Sequence, residues 1–102
     1  MYAMKSSREF AALEQQHAET IEAVEQTLRT GEGDDFDLET YELMRDIVAE
    51  FEKAMVEVFS EYSACDGGGD AEFAELMERF SYLQGLESQF GARYATEGMS
   101  GW

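Results

Sequence analysis

A chain of 102 residues with 44% hydrophobic residues forms one domain, 1–102, with enough apolar material for a small core. Its 23 Asp and Glu against 7 Lys and Arg give a net charge of −16, which disfavours direct contact with nucleic acid or anionic lipid and favours basic protein surfaces as partners. No apolar run approaches the ~18–20 residues of a membrane span, residues 1–10 lack the apolar segment of a secretory signal, and the lone Cys65 cannot close an intramolecular disulfide. A cytoplasmic protein is therefore expected.

Proline is absent, and Ala, Glu, Gln, Leu and Met are abundant, so long helices are expected throughout. The first helix, about 7–30, opens on the capping-box spacing Ser6…Glu9. Its apolar stripe is Phe10, Leu13, His17, Ile21, Val24 and Leu28, and Gly31 is placed to end it as a left-handed residue. Asp37 then caps a second helix, about 38–64, with Phe36 and Tyr41 as a hydrophobic staple.

The second helix carries the cleanest stripe: Tyr41, Met44, Val48, Phe51, Met55, Val58 and Tyr62, widened by Ile47, Ala54 and Phe59. A face that broad contacts two neighbours and places this helix centrally. Gly67, Gly68 and Gly69 stop it, because three glycines lose too much backbone entropy in a helix. Asp70 caps the third helix, about 71–97, striped by Phe73, Leu76, Phe80, Leu83, Phe90 and Tyr94, with Gly98 as its stop. The expected fold is all-α: a three-helix antiparallel (up-down-up) bundle, or a helical hairpin with a third helix, with a homodimer as the alternative assembly.

No catalytic constellation is present. Cys65 follows a helix C-terminus beside Asp66, where thiolate is disfavoured, and His17 is remote from it. No phosphate-cradling glycine loop occurs, and Asp34, Asp35 and Asp37 lack the offsets of a calcium loop. No enzyme and no cofactor are expected. Glu14 and His17 form a Glu-x-x-His step, and Glu87, on the core-facing stripe of the third helix, is placed to complete a site. A dimer bringing two such steps together is the alternative carboxylate metal site, although only one copy occurs in the chain.

Acidity is uneven. Glu39, Glu42, Asp46 and Glu50 recur every three to four residues on the second helix, and Glu32, Asp34, Asp35 and Asp37 extend the field upstream. Neighbours on a helix face lie about 5–6 Å apart, of the order of phosphate intervals on a nucleic-acid strand. The expectation is a small acidic protein-binding module, an inhibitor or decoy that mimics phosphate and occupies a basic surface of a nucleic-acid-binding protein, as small phage and mobile-element inhibitors do as a class. Adaptation to high salt competes with this, but Glu outnumbers Asp 17 to 6, a ratio that helix propensity explains.

The third helix departs from the acidic rule. Tyr82, Gly85, Gln89 and Ala92 lie on a neutral, small-residue surface, where Gly85 and Gly91 would let another backbone approach. A dimer or partner interface is expected there. An assembly adaptor working through apolar helix edges such as Val56 with Ala49 is a further alternative.

Overall fold

In the computed structural model, residues 5–64 and 70–98 are described, and they are helical apart from residue 17 and the short links 31–32 and 36–37, with no strand among them. Four α-helices follow in order: α1 (Lys5–Gln16), α2 (Ala18–Thr30), α3 (Leu38–Ala64) and α4 (Asp70–Arg93). A single 3-10 turn, Gly33–Asp35, precedes α3, and a π-helical turn, Tyr94–Gly98, finishes α4. The stop expected at Gly98 falls at the edge of the described residues. Cys65 and the glycine run fall outside the described residues.

The first expected helix is divided at His17, whose backbone opens to φ −105° and ψ 13°. The break is shallow. His17 N–H still donates to Leu13 O at 3.0 Å, and Ile21 N–H to His17 O at 2.9 Å. It coincides with the residue whose ring lies against α3, 6.5 Å from the Phe51 ring centroid. Periodicity could not reveal it, because the apolar stripe runs through the break unshifted.

Chain directions follow from pairs of contacts. Ser6 meets Glu61 at one end of α1 and His17 meets Glu50 at the other, so α1 runs antiparallel to α3. Phe73 stacks on Tyr62 near the start of α4, while Phe90 packs on Phe36 beyond the other end of α3. Thus α3 and α4 are antiparallel too, and α3 lies between partners on two sides. The extents are 56 × 19 × 19 Å and the radius of gyration is 15.9 Å. A compact chain of this length would have a radius near 13 Å, so the molecule is a rod.

One continuous core runs along it. Phe10 and Val24 enter from α1 and α2, Met44, Ile47, Phe51 and Val58 from α3, and Leu76, Leu83, Leu86 and Phe90 from α4. Phe10 meets Phe51 edge-to-face with centroids 4.9 Å apart, a preferred aromatic geometry. Two stripe assignments change. Phe59 is 61% exposed instead of joining the core, and Leu86 is buried at 5% where the stripe had pointed to Glu87. Leu86 lies three residues from Leu83 and four from Phe90, so it shares their face; Glu87 is turned one residue away.

Helix ends also differ from their sequence signals. Ser6 is not paired with Glu9. Its N–H and hydroxyl donate to Glu61 Oε1 at 2.9 and 2.7 Å, and Lys5 N–H donates to Glu61 Oε2 at 2.8 Å. A carboxylate from the far end of α3 thus satisfies the free amides that open α1. Glu61→Ala is expected to destabilise the fold by about 1–2 kcal/mol, measured as a lower urea midpoint with unchanged slope.

Gly31 is extended, at φ −75° and ψ 156°, so it is not the left-handed residue expected there. A Cβ on it would sit 2.6 Å from Thr27 O, which explains glycine by crowding. The positive φ, 52°, belongs to Gly33. Asp37 caps α3 as expected, its Oδ2 accepting from Thr40 N–H at 3.1 Å. Asp70 is the first residue of α4, and its Oδ1 accepts from the Tyr62 hydroxyl.

Candidate functional site

The acidic residues divide into those that build the fold and those that face outward. Glu32 N–H donates to Asp35 Oδ2 at 3.0 Å, fixing the 3-10 turn. Asp35 therefore serves the backbone, as Asp37 does at the cap. Glu50 does not continue the outward row: its Oε2 lies 2.7 Å from His17 Nε2. That nitrogen is sealed from solvent and has no correctly angled hydrogen bond. The distance marks a close contact with the carboxylate, and the alignment is too poor to count as a bond.

Glu32, Asp34, Glu39, Glu42 and Asp46 remain exposed, and none forms an ion pair with another described residue. Several cations are spent inside the molecule. Arg79 binds Glu14 through Nε and Nη2, reaches Glu75 through Nη1 at 3.7 Å, and sits 5.1 Å from the Phe10 ring centroid. Arg93 pairs with Glu97 and lies 4.4 Å from the Phe36 ring centroid. Arg45 lies 5.8 Å from the Tyr41 ring. The guanidinium groups of Arg79 and Arg93 cover core aromatics, whereas Arg45 is exposed on α3 within the acidic row and forms no ion pair with a described residue.

The candidate metal residues are not gathered. Glu14 is committed to Arg79, His17 approaches Glu50, and Glu87 is half-buried on α4. Among the described residues no group of three or more His, Cys, Asp or Glu is arranged to hold a metal ion. No described helix is long and apolar enough to cross a membrane.

On α4, Tyr82 is exposed and its hydroxyl donates to Glu25 of α2, a hydrogen bond that holds the phenol pKa above its ordinary value. Gln89 and Ala92 are exposed and Gly85 is half-buried. The two glycines differ. A Cβ at Gly91 would lie 2.7 Å from Tyr41 Cε1, so this chain's own Tyr41 fills the space expected for another backbone. At Gly85 the nearest atom is Gln89 Nε2, at 3.9 Å. Gly85→Ala is expected to stabilise by about 0.5–1 kcal/mol through helix propensity. Gly91→Ala should be less stable than Gly85→Ala by about 1–3 kcal/mol because Tyr41 must move; thermal melts of both compare them directly.

Three features escaped the sequence. Glu9 meets Glu57 across α1 and α3, and the shared hydrogen bond, with mutual repulsion, raises the Glu9 pKa. A group raised on folding contributes stability below its unfolded pKa and loses it as pH rises through the folded one. Melting temperature should therefore climb as pH falls toward the ordinary carboxylate range, and climb less in Glu57→Gln. Glu97 has the opposite sign: hydrogen-bonded to Arg93, its pKa is lowered, and its contribution is lost only under more acidic conditions. The second feature is an apolar groove of about 260 Å³, where Val56, Phe59 and Met77 are exposed over Met55 and Phe80. The third is a groove of about 810 Å³ between α2 and α4. All three depend on which helices become neighbours, and no local signal marks them. No protein-family model, no curated protein and no solved structure matches this chain.

Proposed function

We propose that this protein is an acidic binding module that occupies a basic surface of a nucleic-acid-binding protein by imitating phosphate. The observation carrying this reading is the exposed row Glu39, Glu42 and Asp46 on α3, extended by Glu32 and Asp34 beyond its start. A rigid helix presents these charges, so little entropy is lost when they meet a partner.

Charge density supports the same reading. Asp66 is the only charged residue outside the described ones, so the described residues carry −16 less one, or −15, along 56 Å. That is one net charge per about 3.7 Å, against ~1.7 Å along a duplex and ~3.4 Å along one of its strands. The rod approaches the charge density of a single strand. Such a field accelerates encounter with a basic groove and is screened within about 8–10 Å at ordinary salt.

The test captures partners from source-cell extract on the immobilised chain and elutes them with duplex DNA or single-stranded nucleic acid. The reading expects a nucleic-acid-binding protein, displaced by the polyanion and held less tightly as salt rises. A partner that no nucleic acid displaces overturns it. A second reading, a homodimer along Tyr82, Gly85, Gln89 and Ala92 of the up-down-up bundle, is favoured by the open space over Gly85. Gly85→Arg should then halve the mass seen by light scattering, and an unchanged mass rules the dimer out.

A further inference from the structure

The groove between α2 and α4 is a consequence of how weakly α2 is buried. Of its thirteen residues only Val24 is fully enclosed, while Ile21 and Leu28 remain half-buried. Polar struts reach this side from α4: Arg79 to Glu14 at the end of α1, and Tyr82 to Glu25 on α2. Between them lies a space of about 810 Å³. Ala18, Ile21 and Leu83 give it an apolar floor, and Glu22, Glu25, Glu75 and Glu78 supply carboxylates along its walls.

Five carboxylates and two guanidinium groups line the groove, and one of those guanidiniums, Arg79, is already held by Glu14 and Glu75. Glu22 and Glu78 are exposed. The groove is therefore apolar at its base and negative at its rim. Its lining runs from Glu14 to Arg29, which at ~1.5 Å per residue is about 22 Å of helix, or roughly four turns.

We propose that this groove binds a basic amphipathic helix of a partner protein, received as an added helix alongside α2 and α4. An apolar stripe at three-and-four spacing covers Ala18, Ile21 and Leu83, and flanking Lys or Arg face Glu22, Glu25, Glu75 and Glu78. This is helix-in-groove recognition, with buried side chains giving affinity and rim charges giving orientation. A second copy of this chain is a poor occupant, because its own net charge of −16 would meet the same sign. The proposal goes beyond phosphate mimicry, since it uses a different surface and requires apolar contact.

The probe is a synthetic 15-residue helix with Leu at the stripe positions and Lys elsewhere. Its control keeps every Lys and replaces every Leu with Ser. Titrated into the ¹⁵N-labelled full chain, the Leu/Lys peptide should bind at least about ten-fold tighter than the Lys/Ser peptide, with shifts concentrated at Ala18, Ile21, Tyr82 and Leu83. Glu22→Gln with Glu78→Gln, both at exposed positions, should weaken binding about ten-fold while leaving the circular dichroism unchanged. Equal affinity for the two peptides overturns the proposal, as do shifts gathered around Val56, Phe59 and Met77. A chain carrying Lys at 39, 42 and 46 should still bind the peptide, so failure of this groove and failure of the phosphate-mimic reading are separately visible.

Discussion

Replacing Phe51 with alanine is expected to cost about 3–5 kcal/mol of folding free energy. Phe51 has no exposed surface and lies midway along α3. Its ring packs edge-to-face on Phe10 and faces the His17 ring. Truncation removes a large apolar group at the junction of α1 and α3 and leaves a cavity that the surrounding helices cannot wholly fill. Domains of this size commonly have only about 5–15 kcal/mol in total, so the variant should be partly unfolded near body temperature. Urea denaturation followed by circular dichroism reads the loss. A cost under about 1 kcal/mol would contradict the core described here. Phe59→Ala provides the contrast: with 61% of its surface exposed, it should cost much less despite standing in the same helix.

Reversing Glu39, Glu42 and Asp46 to Lys is expected to weaken capture of the basic partner by about 100-fold or more, taking ~1 kcal/mol for each charge lost at an interface. These side chains are exposed and make no ion pair with another described residue, so the helix beneath them should persist. Glu39 lies in the first turn of α3, and its reversal opposes the helix dipole at a cost of about 0.3–1 kcal/mol. Circular dichroism separates that small effect from lost binding. Glu50 belongs outside this set because it faces His17. Undiminished capture by the triple variant would remove the α3 row from the interaction.

Much of the fold is legible in the sequence because helix formation is encoded locally. The stripe from Met44 to Val58 repeats every three to four residues, and those residues are the buried side of α3. Asp37 caps that helix by reaching only three residues ahead, a distance sequence reading handles well. The third stripe reads correctly except at its Leu86–Glu87 step, where spacings of three and four are equally regular and the apolar side chain, Leu86, is the one buried.

The acidity of the chain is likewise a sequence property, and its total follows from composition. Composition supplies −16; it cannot say which acids serve the fold. Asp35 and Asp37 bond to nearby backbone, Glu61 crosses 55 positions to cap α1 at Ser6, and Glu14 crosses 65 to hold Arg79. Those assignments leave Glu39, Glu42 and Asp46 on α3 facing water, as they do Glu19, Glu22, Glu52 and Glu78 on the other faces. Helices, their caps and their apolar faces follow from interactions within a few residues, which the sequence displays directly. Which carboxylates meet a partner, which glycine is filled by Tyr41, and where α2 leaves a groove beside α4 depend on contacts between distant segments. Packing alone decides those.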